Sequence, residues 1–218
     1  LNEGQFSYTI KNLFVSKAGN FCIKFFDIMG KFKFQTNPFR IEENPEYKYF
    51  WADLHGQSEE TIGTGSAEQY FSFARDFAFV DAVAHQGNDF QMSNDFWTKL
   101  DSLCEKFDVE NEFVAIPGYE WSGNTSLGGD RNVFFPTKGR KIRRSSHALI
   151  NDYSDLDSDC DTARELFDAF AANDEFDVIC YAHCGGRYAD IKFAHDSRFE
   201  KSVEVHSSWG TFEWLLED

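Results

Sequence analysis

Five times along this chain an apolar, strand-like run ends on a His or a Glu and passes at once into small or polar residues. The run 49–55 ends on His55 and leads into Gly56-Gln57-Ser58, and the run 79–85 ends on His85 before Gln86-Gly87-Asn88-Asp89. The run 113–120 ends on Glu120, 178–183 on His183 and 202–206 on His206. In a parallel α/β barrel the C-terminal ends of the strands meet on one face, and that face carries the active site. Residues far apart in sequence then converge, and imidazoles with carboxylates in one cup suit a divalent metal. A single His or Glu at a strand end is commonly structural. Repetition of the same topological position turns the reading toward a site, because convergence is what a catalytic constellation requires. His55, His85, Glu120 and His183 are the strongest candidates, with His206 open to either reading. His147 and His195 lie in polar loops and read as surface residues.

Bulk properties narrow the function. The formal net charge of −16 over 218 residues disfavours nonspecific attraction to nucleic acid or to an anionic membrane surface. The basic stretch 138–144 is a local exception and reads as a solvated loop, with an anion-contacting lid as the lesser reading. No apolar stretch reaches the length of a membrane span. Five cysteines without framework spacing argue against a disulfide scaffold. Cys180 sits inside an apolar run and reads as core, since free Cys is commonly buried. Cys184, beside His183, is a weak ligand candidate. The sequence opens without Met and shows no signal peptide, so localisation is not legible in it.

Residues 1–47 differ from the rest. The segments 6–15, 19–28 and 31–41 predict three short antiparallel strands, with Gly19-Asn20 and Met29-Gly30 at the turns. Three strands make a poor domain, so the segment reads as the end of a β-sandwich-like module that contributes no metal ligand. From 48 onward the rhythm becomes strand, loop, helix, which predicts a parallel sheet with right-handed crossovers. Ser66-Ala67-Glu68-Gln69 is a capping box for a helix to about Phe77. Asn94 is expected to cap a second helix with Trp97, Leu100, Cys104 and Phe107 on one face, and Asp161 a third with Leu166, Phe167 and Phe170 apolar. The segment 132–135 reads as a short extra strand, 140–159 as a long polar excursion on the active face, and 211–218 as the start of a helix. The stretch 48–218 is short for a closed barrel, and the sequence reads as a fragment cut at both ends.

These motifs resemble those of the polymerase-and-histidinol-phosphatase (PHP) superfamily of metal-dependent phosphoesterases, in particular its large bacterial branch with an extra N-terminal β domain. The resemblance runs from about Phe50 to the end. It is carried by Trp51-Ala52-Asp53-Leu54-His55, Pro117-Gly118-Tyr119-Glu120-Trp121, Gly128-Gly129-Asp130-Arg131-Asn132-Val133-Phe134-Phe135 and Glu204-Val205-His206-Ser207-Ser208-Trp209-Gly210. It implies an α/β fold, an incomplete distorted (β/α)7 barrel, that binds Zn, Mn or Fe. On that footing His55 matches the first His of a His-x-His pair, Glu120 the metal-bridging carboxylate and His183 the later strand-end imidazole. The chain departs from the pattern elsewhere. Gln57 stands where the second His is expected, His85, Asn88 or Asp89 replaces an Asp-His pair, and Asp130 stands where relatives often have His. The family's final Asp-x-His has no counterpart before Asp218, so the isolated stretch is expected to be inactive.

The implied chemistry is hydrolysis of a phosphate ester. Two divalent ions about 3.5–4 Å apart can hold a hydroxide and clamp both oxygens of an in-line displacement. Mixed N and O ligands fit Zn or Mn better than Ca. The expected metal ligands are His55, His85, Glu120, Asp130 and His183, and the expected catalytic residues are His55, Glu120 and Asp89. Arg131, Arg187 and Arg144 are the cations expected against an anionic small-molecule substrate, each with a surface ion pair as its alternative. Gln57 and His206 complete the expected substrate contacts. Asp89 orients water or a ligand, or caps the following turn. Asp130 is expected to point into the cup with Arg131 beside it. Two further readings remain open: a mono- or dinuclear ester or amide hydrolase, favoured by Gln57 and Asp130, and a non-catalytic ligand-binding protein of the same fold.

Overall fold

A computed structural model of the chain describes residues 10–216. The chain divides into two compact units, Leu1–Tyr49 and Phe50–Asp218. Among the described residues of the first, four short strands form two antiparallel ladders: β1 (Gly19–Phe21) pairs with β4 (Phe39–Ile41), and β2 (Lys24–Phe26) with β3 (Phe32–Gln35). Asp27 builds the turn between β2 and β3, its Oδ1 accepting from Met29 N at 3.0 Å and Lys31 N at 2.9 Å. Gly30 supplies the positive φ of 76° that this turn needs. Phe25 stacks on Phe34 across the pair with ring centroids 4.4 Å apart. The expected strands 19–28 and 31–41 each break in two, the second at Pro38, which has no N–H to continue a ladder. Residues 10–15 hold no strand, and 6–9 of that expected strand lie outside the described residues.

In the second unit β5 (Ala52–Gly56), β6 (Ala82–His85) and β7 (Val114–Ile116) run parallel, joined through α1 (Ala67–Phe73) and α2 (Asn94–Phe107). A second sheet holds β8 (Gly118–Trp121), β9 (Arg131–Phe134), β10 (Ile179–Ala182) and β11 (Glu200–Val203), with α3 (Ala163–Ala172) between β9 and β10 in sequence. Pro117 alone separates β7 from β8, so one bent run of chain passes from the first sheet to the second. A parallel bridge between Asn88 and Glu120 keeps the end of β6 alongside β8. Among the described residues the strands do not close into a barrel.

The expectation of an all-parallel sheet is corrected. β9 runs antiparallel to both β8 and β10, and only β10 and β11 pair parallel in this sheet. The connection from Trp121 to Arg131 is too short for the crossover that a parallel neighbour requires. After β11 comes a small hairpin, β12 (His206–Ser207) with β13 (Gly210–Thr211), and then a 3₁₀ turn at Glu213–Leu216. That turn stands where the helix 211–218 was expected; residues 217 and 218 lie outside the described residues.

Of the three expected caps, one stands where the sequence puts it and two shift by one residue. Ser66 and Gln69 close a capping box, and the helix passes into a π turn at Ala74–Ala78 that ends where Phe79 takes φ of 53°. Ser93, not Asn94, caps α2, and Thr162, not Asp161, caps α3 in a box with Glu165. In both places the hydroxyl residue holds the extended backbone that the cap position needs.

The apolar faces meet in one core. Trp97, Leu100 and Phe107 of α2 and Leu166, Phe167 and Phe170 of α3 are buried with Phe71, Trp121, Phe135 and Phe199. Full burial of a large apolar side chain contributes roughly 1.5–3 kcal/mol. Cys180 is fully buried in the same core. Trp97 Nε1 donates to Arg140 O at 2.8 Å and Trp121 Nε1 to Cys160 O at 3.1 Å, so the excursion 140–159 is tied to the core at both ends. The stretch 138–144 is the solvated loop that its charge predicts only in its first part: Lys138, Gly139 and Lys141 are exposed, whereas Ile142, Arg143 and Arg144 are buried. No helix among the described residues is long and apolar enough to cross a membrane.

Candidate metal centre

β5, β8 and β10 deliver His55, Glu120 and His183 to one place. One possible ligand atom from each lies within 4.8 Å of the others. His55 Nε2 is 3.1 Å from Glu120 Oε2, and the rings of His55 and His183 lie 4.4 Å apart, tilted by 54°. Glu204, directly after β11, reaches the Nδ1 side of both imidazoles. Its Oε2 is hydrogen-bonded to His183 Nδ1, and its Oε1 lies 3.4 Å from His55 Nδ1. Gln57 Nε2 donates to Glu120 Oε2 at 3.4 Å. Gly185 has to be Gly, because a Cβ there would come within 2.1 Å of His183 Nε2.

These residues line a cleft of about 610 Å³ together with Asn88, Asp130, Arg187 and residues 207–209. Burial works against a charge on His55, but hydrogen bonds to Glu120 and Glu204 outweigh it and hold its pKa up at about 9. Against burial, which acts to raise it, hydrogen bonds from His183 and His55 hold the Glu204 carboxyl well below the usual carboxylate range. Burial and the charge of Glu120 push Asp130 up to about 9, with the Arg187 guanidinium opposing. Arg187 Nε lies 3.3 Å from Asp130 Oδ1, and that oxygen makes no hydrogen bond among the described residues.

The donor set fits a divalent cation. A buried carboxylate oxygen lacks a hydrogen bond, two acidic groups repel each other, and two imidazoles are held from their Nδ1 sides. A cation relieves the repulsion and takes up the remaining donors. His55, Glu120 and His183 are the residues able to hold it, with Asp130 beside them.

Several expected residues stand elsewhere. His85 does not join the cluster: its Nε2 is 2.8 Å from Ser58 Oγ, and its Nδ1 accepts from Gly87 N at 3.2 Å. Both ring nitrogens are thus committed, and burial pulls its pKa down to about 4. Asp89 is fully buried and accepts from Ser122 N at 2.9 Å and from Ser145 N and Oγ. It knits two loops together and faces no open space. Asp130 lines the cleft, but Arg131 is not beside it, because neighbours along a strand point to opposite faces. Arg131 is fully buried, donating to Gly128 O at 2.6 Å and Ala194 O at 2.9 Å and pairing with Glu200 at 3.4 Å. It is a structural cation and no substrate contact.

Arg144 is likewise wholly buried, bound to Met92 O, Asn94 and Asp155. His206 is exposed on β12 and does not line the cleft, although Ser207, Ser208 and Trp209 do. His147 is not a surface residue: it is buried between Asp159, 2.7 Å from Nδ1, and Asp155, 2.9 Å from Nε2. His195 is exposed, with Nδ1 3.5 Å from Glu200. Cys184 Sγ lies 3.5 Å from Glu204 Oε2 and 3.4 Å from Gly210 O, outside the three-residue cluster.

Glu204 is the residue in contact with both imidazoles of the cluster that the strand-end pattern does not pick out. The pattern points to the His that closes the run 202–206, yet β11 ends at Val203. The chain then turns into the β12–β13 hairpin, which carries His206 outward and leaves Glu204 at the true strand end.

No protein-family model matches the chain. Among curated proteins it is similar to an uncharacterised protein of Chlamydia pneumoniae, 22% identical over 206 residues, which are 94% of this chain and 32% of the relative. The chain thus spans about a third of that relative's length.

Proposed function

We propose that the chain carries the centre of a metal-dependent hydrolase with a PHP-like barrel, acting on a small phosphate ester. The observation that carries this reading is the convergence of His55, Glu120 and His183 within 4.8 Å from strands far apart in sequence. The strand order β5-β6-β7 followed by β8-β9-β10-β11 rises with the sequence, as the strands of an incomplete (β/α)7 barrel do. Residues 1–47 are read as the end of a β-sandwich-like module. Zn or Mn suits the mixed imidazole and carboxylate donors best, and Fe comes next.

A divalent ion bound at these residues supplies Lewis-acid polarisation of a phosphoryl oxygen and a nucleophile drawn from water at neutral pH. The chain's own residues do the rest. Glu204 orients both imidazoles from their Nδ1 sides. Gln57 restrains the Glu120 carboxylate by donating to its Oε2. Arg187 lines the cleft as the cation that meets a substrate phosphate, its Nη nitrogens making no hydrogen bond among the described residues.

One observation favours a second reading, a one-ion centre acting on an ester or amide. Only two imidazoles converge, with Gln57 in the place of a third and His85 withdrawn to Ser58. Metal analysis of the full-length protein, followed by phosphate-release and ester and amide panels, tests both. Phosphate release by a metal-bearing protein supports the first reading. Turnover of esters or amides alone supports the second. A protein that binds no metal and turns over nothing overturns both.

A further inference from the structure

Arg187 lines the metal cleft and also a neighbouring pocket of about 190 Å³. A cavity of ~150 Å³ accepts benzene, so a six-membered ring fits here. Three buried polar groups that the metal centre does not use, Arg144, His147 and Asp89, fix the walls of this pocket. Arg144 anchors the excursion that supplies one wall, donating to Met92 O at 2.9 Å and Asn94 Oδ1 at 2.8 Å. His147 is clasped between Asp155 and Asp159 within that same excursion. Asp89 joins Ser122 to Ser145, which brings the two sides of the pocket together. On the side of the metal cleft the Arg187 guanidinium lies over the Phe90 ring, 5.2 Å from its centroid.

The free polar groups define what the pocket takes. Ser146 Oγ lines it half-buried, the Asn124 side-chain amide and the Asp161 carboxylate line its solvent-exposed rim, and none makes a hydrogen bond among the described residues. A hydroxyl and an amide can both donate and accept, whereas an ionised carboxylate only accepts. Asp161 therefore repels an anionic group and welcomes hydroxyl donors. Phe90 and Leu127 offer apolar surface to the C–H face of a ring. The pocket thus has a cation in Arg187, the residue it shares with the cleft, and an acceptor at its rim in Asp161.

We propose that this pocket is the leaving-group subsite of the phosphate ester and takes a neutral, hydroxyl-bearing ring of monosaccharide size. The proposal rests on the phosphate-ester reading of the adjoining centre. In the reaction the oxygen of water joins phosphorus and the bridging P–O bond breaks. The ring leaves as an alcohol whose oxygen takes up the proton that water loses.

The test compares glucose 1-phosphate with ethyl phosphate on the metal-loaded full-length protein. The wild type is expected to prefer the sugar phosphate at least tenfold in kcat/KM. Ser146→Phe, which fills the pocket, is expected to reduce that preference at least tenfold. Asn124→Ala, which removes a hydrogen-bonding group and leaves the space, is expected to reduce it roughly fivefold. Equal turnover of the two esters by the wild type, or an intact preference in Ser146→Phe, overturns the proposal. A second arm needs no turnover: saturation-transfer NMR with methyl glucoside is expected to show contact with the wild type and none with Ser146→Phe. Sugar contact without phosphate release keeps the ring pocket and removes the phosphatase reading. Absence of sugar contact with the wild type overturns the pocket whatever the turnover.

Discussion

Glu204 Oε1 lies 3.4 Å from Nδ1 of His55, while the other oxygen of the same carboxylate holds Nδ1 of His183. One acidic side chain thus orients two of the three residues in the cluster. Outer contacts of this kind fix the ring orientation and tautomer of a metal-binding His, and their loss typically lowers metal affinity about 10–100-fold.

Glu204→Gln keeps the shape and removes the charge. The variant is expected to bind Zn²⁺ more weakly by that order, read by competition with a chromophoric chelator. An affinity equal to that of the wild type would mean that Glu204 does not support the centre.

Arg131 and Glu200 form a buried pair, with side chains 0% and 1% exposed. Breaking such a pair from one side strands a buried charge and typically costs about 3–5 kcal/mol, whereas replacing both partners by apolar residues is often close to neutral. Arg131→Met is therefore expected to destabilise the fold by that order and to leave metal stoichiometry unchanged. The double variant Arg131→Met/Glu200→Leu is expected to recover most of the loss in a urea titration. A single variant as stable as the wild type would rule out the structural role.

His85 titrates at about 4 in the fold against 6.5 unperturbed, because burial disfavours its charge. Folding favours the neutral ring, so this contribution is fully present above pH 6.5. It is lost as the pH falls from 6.5 through 4, and is of order 3 kcal/mol in all. Asp89, raised to about 6 by burial, acts in the opposite direction over part of the same window, since the fold favours its protonated form. His85→Gln removes one of the two opposing effects. Its stability relative to the wild type is expected to improve steadily between pH 6.5 and 4. A difference that stays constant across that range would show that His85 is not held neutral by the fold.

The cluster of His55, Glu120 and His183 is legible in the sequence where a local signal coincides with a strand end. His55 and His183 close apolar runs, and Glu120 lies in the strand that follows Pro117, so their convergence follows from strand packing alone. The helices are legible for the same kind of reason: Ser66 with Gln69 and the face of Trp97, Leu100 and Phe107 are short-range patterns. What escapes is set by contacts distant in sequence. The direction of β9 depends on how little chain joins it to β8, and no residue pattern within the strand encodes direction. Arg131 and His147 look solvent-bound by type, yet Glu200 for the one and Asp155 with Asp159 for the other satisfy them inside the fold. His85 has the same sequence signature as His55 but meets the Ser58 hydroxyl, and nothing in the run 79–85 foretells that partner.

The most direct test of the account is the metal content of dialysed full-length protein, measured by inductively coupled plasma mass spectrometry for the wild type and four variants. His55→Ala, Glu120→Ala and His183→Ala each remove one member of the cluster and are expected to lose most of the bound metal. His85→Gln is expected to keep it. Metal retained at wild-type stoichiometry in all three cluster variants, or lost in His85→Gln alone, would place the centre elsewhere and contradict the account.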